Sequence, residues 1–265
     1  MRDNRGMIQI IPNPEEMEVY DKLAAEYSFG FEYNDFYQPD LLDDAGKLDK
    51  RIELYNGLQR AKGMDTLHGA FYDIVPFSWD SGIRRHSVHR MAQSVEIAAR
   101  LGCRAVIFHT GLVPGLVGDR KYRSNWLSVM ADTMRELLEV SGSVEIYCEN
   151  MFDASPRELA ELAAELQGEE RFGICLDIGH MMLTTREPKP WFEALAPYIR
   201  HFHINDNHFQ RDEHLALGEG NIEWDDIFRL MDQFRLWDRS ILLEVKGMDK
   251  IKSSMEYLRK AGGRN

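Results

Sequence analysis

The sequence lacks the patterns that mark membrane, secreted and disulfide-stabilised proteins. Only three of its 265 residues are cysteine, and no two of them form a CxxC pair, so we expect neither a disulfide framework nor a thiolate zinc knuckle. No run of 18 apolar residues occurs, and the apolar run near the N-terminus is too short for a signal peptide. These absences predict a soluble, cytoplasmic protein with reduced thiols and no membrane partner.

An excess of positive charge is also missing. The chain has 32 Lys and Arg against 44 Asp and Glu, a formal net charge of -12 at pH 7. This balance disfavours nucleic acid as a partner, although a local basic face is compatible with an acidic total. The acidic loop NDFYQPDLLDD would repel a phosphodiester backbone. Arg120, Lys121 and Arg123 suit the phosphate of a sugar as well as that of DNA.

Nothing in the composition divides the chain into domains. The sequence has no Pro/Gly/Ser-rich linker, no low-complexity tract and no short-period repeat. With 44% hydrophobic residues, a chain of 265 residues buries a full core. We therefore expect one domain over residues 1–265, and we leave the oligomeric state open.

Short apolar runs alternate with amphipathic stretches along the whole chain. The eight predicted strands are 7–11, 29–33, 65–69, 105–109, 144–149, 172–177, 199–204 and 241–245. The predicted helices lie within 14–27, 48–62, 84–101, 121–140, 156–166, 190–197, 224–234 and 250–260. Eight such pairs predict an α/β protein with a (β/α)8 TIM barrel. The alternative, an open doubly wound sheet, would not bring eight strand ends around one mouth.

Most predicted strands end in a side chain that can bind a divalent metal, and the loop after the seventh strand adds two more. In a TIM barrel these ends converge at one face. Burying so many ionisable groups without a cation would be costly. Imidazole and carboxylate ligands suit zinc or manganese, and the set suffices for one to three ions with Glu149 as a bridge. The candidates are His68, His109, Glu149, Asp177, His180, His203, Asp212, His214 and Glu244.

The remaining polar residues receive other interpretations. His86 and His89 lie in a helical pattern and His208 lies in an exposed-looking loop, so we exclude them as ligands. Glu32, at the end of the second strand, is a candidate for the substrate pocket. Alternation along the strands places Cys175 inside the barrel with Asp177 and points Cys148 toward the helices; His201 and Glu145 are read as polar residues of the barrel interior.

The motifs CENMFDASP, CLDIGH, HINDN and RDEHLALGEGNIEW resemble those of the xylose isomerase-like TIM barrels, a superfamily of sugar phosphate isomerases, epimerases and endonuclease IV. The resemblance covers nearly the whole chain and is closest to the isomerase/epimerase branch. It implies a metal set of Glu149, Asp177, His203 and Glu244, with the two glutamates as the proton-transfer pair. Endonuclease IV adds the other five candidates for three zinc ions, so the ligand list leaves both branches open.

On this basis we predict a metal-dependent isomerase or epimerase of a small sugar, sugar phosphate or polyol. The metal would stabilise an enediolate while Glu149 and Glu244 remove and return the proton. His180 would hold a substrate oxygen, and Arg211 or Lys246 would add positive charge. A dehydratase is a close variant. The alternatives are a zinc-dependent phosphodiesterase of the endonuclease IV type that acts on abasic DNA, and a sugar-sensing domain without catalysis.

One departure from the epimerase pattern leaves the sugar's identity open. Epimerases of this superfamily usually carry a substrate-binding arginine soon after the histidine of the seventh strand. Here Phe209 falls near that place and Arg211 lies slightly later.

Overall fold

Eight parallel strands close into a barrel in chain order, in a computed structural model that describes residues 7–58 and 64–262. The barrel closes where β8 pairs with β1. This confirms the predicted (β/α)8 architecture, and the open-sheet alternative is wrong. The strands are β1 (Ile8–Ile10), β2 (Gly30–Tyr33), β3 (Thr66–His68), β4 (Ala105–His109), β5 (Glu145–Glu149), β6 (Phe172–Asp177), β7 (Ile199–Ile204) and β8 (Ser240–Leu243).

Helices follow every strand and include the eight that were predicted. The prediction at 48–62 began three residues late, and its last part lies outside the described residues. Two short helices, α2 and α7, were not predicted. The helices are α1 (Met17–Tyr27), α2 (Pro39–Leu42), α3 (Ala45–Asn56), α4 (Ser81–Leu101), α5 (Arg120–Val140), α6 (Arg157–Glu165), α7 (Ile178–Thr184), α8 (Lys189–Leu195), α9 (Trp224–Phe234) and α10 (Met248–Gly262).

Aspartates define where several helices begin. Asp44, Asp80 and Asp119 precede α3, α4 and α5, and each side chain accepts hydrogen bonds from backbone N–H groups of the first turn. Such caps satisfy donors that have no partner within the helix. Asp177 does the same for α7, where it accepts from the His180 N–H at 2.6 Å. The last strand residue of β6 therefore also starts the following helix.

The buried apolar side chains form two separate groups. The larger one lies between the strands and the helices and includes Cys148. The smaller one contains Ala105, Ile107, Tyr147 and Cys175. The opposite orientations predicted for Cys148 and Cys175 are confirmed. All three cysteines are buried, and no two of them form a disulfide. Among the described residues, no helix is both long and apolar enough to cross a membrane.

Candidate metal centre

All nine predicted ligands gather at the carboxyl ends of the strands. His68, His109, Glu149 and Asp177 are the last residues of β3 to β6. The others lie near the end of β7, just after β8 or β6, or in the loop that leads to α9. Convergence of these ends at one mouth is a property of the barrel, and it brings together residues as far apart in sequence as His68 and Glu244.

Glu149 is the centre of the arrangement. Its side chain is fully buried, and its two carboxylate oxygens face different imidazoles. Oε2 lies 3.6 Å from His68 Nε2 and 3.5 Å from His109 Nε2. Oε1 lies 3.2 Å from His203 Nδ1 and 3.4 Å from His180 Nδ1. A carboxylate that presents one oxygen to each of two ligand groups has the geometry of a bridge between two ions.

The first group consists of His68, His109 and Glu149. The two imidazoles approach each other at 3.2 Å between their Nε2 atoms. Burial lowers the pKa of His109 to about 3, whereas the Glu149 carboxylate outweighs burial and raises the pKa of His68. His68 Nδ1 lies 3.0 Å from the Gly69 carbonyl oxygen, to which it can donate. Both Nε2 atoms are then directed at one carboxylate oxygen, as ligands of a shared cation would be.

The second group consists of Asp177, His203 and Glu244 and shares Glu149 with the first. His203 Nδ1 lies 3.9 Å from Asp177 Oδ2 and 3.7 Å from Glu244 Oε2. Burial, reinforced by the neighbouring carboxylates of Glu244 and Glu149, raises the pKa of Asp177 well above its usual range. Three carboxylates and one imidazole in contact are an oxygen-rich set suited to manganese or zinc.

The third group contains His180, Asp212 and His214. Asp212 Oδ2 lies 2.8 Å from His214 Nε2 and 3.4 Å from His180 Nε2. Although burial opposes it, the hydrogen bond with Asp212 and the charge of Glu244 raise the pKa of His214 to about 9. Hydrogen bonds from the two histidines likewise outweigh burial and lower the pKa of Asp212. His180 also contacts Glu149 and so joins this group to the second.

The chemistry of these side chains fits a divalent cation. Three buried carboxylate oxygens in the three groups have no hydrogen-bond partner, namely Glu149 Oε2, Asp177 Oδ2 and Asp212 Oδ1. Unpaired buried carboxylate oxygens are costly. A cation placed among them would remove that cost, and each group offers the nitrogen and oxygen donors that zinc and manganese prefer.

Residues outside the predicted set hold the predicted ligands in place. The Asn150 amide donates to the Asp177 carbonyl and accepts the Asp177 N–H, each at 2.9 Å. Asn205 donates to Glu244 Oε2 at 3.2 Å. Sequence reasoning missed both asparagines. Their positions in the sequence could have indicated them: Asn150 directly follows Glu149, and Asn205 lies two residues after His203.

Asp206 organises the loop that carries Asp212 and His214. Its carboxylate is fully buried and accepts four hydrogen bonds. Gly220 packs so tightly against it that an added Cβ would collide with Asp206 Oδ1. His214 has a φ of 46°, an uncommon value for a residue other than glycine. The four donors are the backbone N–H groups of Asn207, Gly218 and Ile222 and the indole N–H of Trp224.

The predicted substrate-binding residues lie at different depths. Arg211 has an 81% exposed side chain and pairs with Glu213 at 3.3 Å, and Lys246 is exposed. Glu32 is fully buried in β2 and faces His203 and His201 at 3.1 and 3.3 Å. The roles of Arg211 and Lys246 stay predictions.

The histidines excluded as ligands lie on the surface. His86 and His89 are exposed on α4, and His208 pairs with Glu213 at 2.9 Å. His201 is fully buried in the barrel interior. Glu145 pairs with Arg104 at 3.1 Å and accepts a hydrogen bond from the Tyr147 hydroxyl.

Aromatic side chains line one side of the centre. The ring of Phe71 lies 5.1 Å from that of His68 and 5.6 Å from that of His109, and Phe152 lies 5.6 Å from His180, measured between centroids. A cavity of about 140 Å³ adjoins His109, with Phe71 and Met151 in its wall. The centre is thus bordered by apolar surface that can exclude water.

Two aspartates of the acidic loop have identified partners. Asp35 pairs with Arg51 and accepts from the Tyr55 hydroxyl, and Asp43 pairs with Arg90 at 2.6 Å. The loop 34–44 is therefore partly neutralised, which weakens its repulsion of a phosphate backbone. Among the basic residues, Arg120 begins α5.

Three comparisons relate this chain to known proteins. A D-tagatose 3-epimerase-like protein superposes with a TM-score of 0.77 at 25% identity over 96% of both chains. The TTHB071 protein of Thermus thermophilus, from a crystal soaked with ZnCl2, superposes with a TM-score of 0.75 at 22% identity, covering 97% of this chain and 98% of that one. The probable endonuclease 4 of Campylobacter concisus is 24% identical over 220 residues, 73% of this chain and 76% of the relative.

The family comparison covers most of the chain. The sequence profile of the family described as "Xylose isomerase-like TIM barrel" matches residues 22–261. This span includes all nine predicted ligands and every strand from β2 to β8. The chain therefore belongs to the xylose isomerase-like TIM barrel family, which the motifs in its loops had suggested.

Proposed function

We propose that this protein is a divalent-metal-dependent isomerase or epimerase that transfers a proton on a small sugar, sugar phosphate or polyol. The supporting observation is the pair Glu149 and Glu244. These carboxylates come from nearly opposite strands and both approach His203 Nδ1, at 3.2 and 3.7 Å. Isomerisation and epimerisation need a group that removes a proton and a group that returns one.

Each residue of the second group, together with His180 of the third group, has a role in this proposal. A divalent cation held by Glu149, Asp177, His203 and Glu244 would polarise a substrate carbonyl and acidify the neighbouring C–H bond. Glu149 and Glu244 take and return the proton of that bond. His180 holds a substrate oxygen from the mouth side, where its Nε2 now faces Asp212.

The surroundings support a small substrate. Phe71 and Phe152 place apolar rings beside the predicted ligands, and apolar walls strengthen electrostatic contacts when a bound substrate displaces water. The 25% identical neighbour whose name refers to D-tagatose 3-epimerase extends over almost the whole of both chains.

Metal-dependent phosphodiester hydrolysis is the second candidate, and a specific observation favours it. The first and third groups add His68, His109, Asp212 and His214 to the set that proton transfer requires. Two metal ions on either side of a bridging carboxylate suit the activation of water and the stabilisation of a leaving oxygen. The relative named as a probable endonuclease 4 matches 73% of the chain.

Two variants separate the candidates. Glu244→Gln keeps an oxygen in place but removes the basic carboxylate, so solvent deuterium exchange into a panel of sugars and sugar phosphates should fall by at least ~1,000-fold. His109→Ala should retain detectable exchange, because His109 lies outside the second group. His208→Ala, which removes an exposed histidine, is the matched control and should behave as wild type.

The same proteins are assayed on an abasic-site duplex, with bound metal counted in each sample. If both Glu244→Gln and His109→Ala abolish cleavage of the duplex and no sugar exchanges deuterium, hydrolysis replaces isomerisation as the function. A wild-type protein that binds sugars and metal without turnover on any substrate would instead support the sensing domain.

A further inference from the structure

We propose that Glu32 is a positioning residue that fixes the His203 imidazole in the tautomer whose Nδ1 can bind a metal. Glu32 Oε1 lies 3.1 Å from His203 Nε2, while the other ring nitrogen, Nδ1, faces Glu149 Oε1 at 3.2 Å. Both side chains are fully buried. The inference rests on the proposed metal centre, and it replaces the predicted contact between Glu32 and substrate.

The donor and acceptor rules select the tautomer. An ionised carboxylate can only accept hydrogen bonds, and each ring nitrogen of His203 faces a carboxylate oxygen. A metal bound at Nδ1 requires that nitrogen to carry no proton, which leaves the proton on Nε2, beside a Glu32 oxygen that has no other hydrogen-bond partner. Nδ1 of the neutral ring then presents its lone pair toward Glu149, Asp177 and Glu244. Histidines that bind metals commonly donate their second N–H to a carboxylate in this way, which fixes the ring and raises its basicity.

Glu32 is itself held from two sides. Its Oε2 accepts a hydrogen bond of 2.7 Å from the Thr66 hydroxyl and lies 3.3 Å from His201 Nε2. His201 Nδ1 in turn lies 2.7 Å from the Ser240 hydroxyl. These contacts connect β8, β7, β2 and β3 inside the barrel. Apart from Ser240, which is partly buried, the side chains have at most 1% of their surface exposed.

A second possible metal site would use His203 Nε2 as a ligand instead of Nδ1. Cys175, His201 and His203 each offer a ligand atom, and these atoms lie within 4.8 Å of one another. If an ion occupied this inner group, His203 Nε2 would be a ligand and could not donate to Glu32. The Cys175 side chain packs against Ala105, Ile107 and Tyr147, surroundings that favour a neutral thiol over a thiolate. The two arrangements predict different tautomers and different spectra.

The test compares Glu32→Gln with wild type. In zinc-loaded protein labelled with 15N-histidine, long-range proton–nitrogen correlation should show His203 with Nε2 protonated and Nδ1 without a proton, and the variant should lose this pattern. Zinc affinity, measured by competition with a coloured chelator, should fall ~10- to 100-fold. Gln9→Met is the matched control, because Gln9 is equally buried and also contacts Thr66. It should leave zinc affinity within about twofold of wild type.

A double-mutant cycle tests whether Glu32 acts through His203. In a His203→Ala background, Glu32→Gln should no longer change zinc affinity. An undiminished effect in that background would mean that Glu32 acts by general destabilisation and would overturn the proposal. So would an unchanged His203 tautomer in Glu32→Gln.

Cobalt substitution tests the inner ion. A thiolate-to-cobalt absorption band that disappears in Cys175→Ser would also overturn the proposal, because His203 Nε2 would then be a ligand. If the wild type bound no divalent ion, this proposal and the proposed function would both fail. If it bound zinc with the expected tautomer but exchanged no sugar proton with solvent, only the proposed function would fail.

Discussion

Asp206 and Glu149 are both fully buried carboxylates at the same end of the barrel, but their charges are balanced in different ways. Asp206 accepts four hydrogen bonds, three from backbone N–H groups of its own loop and one from the indole of Trp224 at the start of α9. Glu149 is surrounded by imidazoles, and its Oε2 has no hydrogen-bond partner. The first carboxylate is satisfied by the folded chain alone, whereas the second keeps one unpaired oxygen that a bound cation would satisfy. This difference separates the part of the site that builds the loop from the part for which we propose a metal and proton transfer.

The largest effect is expected from removing the Asp206 carboxylate. Asp206→Ala leaves four N–H donors unpaired, and three of them belong to the buried residues Asn207, Ile222 and Trp224. At ~1 kcal/mol or more for each buried donor, the free energy of unfolding should fall by about 3 kcal/mol or more. Urea denaturation measures this loss. Asp226→Ala on the exposed face of α9 is the control and should change stability by less than about 1 kcal/mol. A small loss in Asp206→Ala would show that the N–H groups find other partners.

Chelation should act on Glu149 and its neighbours and leave Asp206 unaffected. A ligand at 100 times its Kd stabilises the folded state by ~2.7 kcal/mol, so stripping the metal should lower Tm by roughly 5–10 °C for a chain of this size. Scanning calorimetry with and without chelator, followed by zinc or manganese addition, checks this. If chelation left the Tm of metal-loaded protein unchanged, Glu149 would not depend on a cation, and the contrast with Asp206 would fail.

Asp153 is an intermediate case that sharpens the comparison. It accepts hydrogen bonds from the Thr110 hydroxyl and the Met151 N–H, but its Oδ1 is unpaired. Burial therefore outweighs these bonds and raises the pKa of Asp153 to about 6. Because the folded pKa is the higher one, the folded state holds the proton more tightly. The stabilisation of the folded state that this bound proton provides is complete below about pH 4, near the pKa of Asp153 in the unfolded chain. It is lost as the pH rises through 6, the folded pKa.

Asp153→Asn should remove this pH dependence, because the amide imitates the protonated acid. We expect the variant to gain up to ~2 kcal/mol over wild type at pH 7.5 and almost nothing at pH 4. Urea titrations at the two pH values measure the difference. Asp40→Asn, at an exposed position in α2, is the control. A constant difference across the pH range would mean that Asp153 is already ionised in the folded protein at pH 4.

The fold and the ligand set could be predicted because both follow from local patterns. Short apolar runs alternate with amphipathic helices, and the barrel brings strand ends together whatever the loops contain. The short helix α7 was missed because no loop separates it from the strand: Asp177 is both the last residue of β6 and the N-cap of α7. Asn150 and Asn205 were missed because their partners are distant in sequence and are set by the closed barrel.

Depth within the barrel was the least predictable feature. Alternation shows which face of a strand a residue lies on, but not how far it sits below the mouth. Glu32 pairs with Thr66 and Thr66 with Ala105, so Glu32 lies level with the first residue of β4, well below His109. This register is set by the stagger of the entire barrel, and no single strand encodes it.

The hydrogen bond from the His180 N–H to Asp177 has a consequence for how the centre can be redesigned. Asp177 Oδ1 starts α7, while Oδ2 faces the predicted ligands. One oxygen of this side chain thus serves folding and the other faces the proposed metal centre, and Asn at this position keeps the cap while it removes the charge. Asp177→Asn should therefore retain the helix yet lose metal, which circular dichroism and metal counting would read independently. We therefore expect that a single substitution at position 177 can remove metal binding from this barrel during evolution while the barrel stays folded.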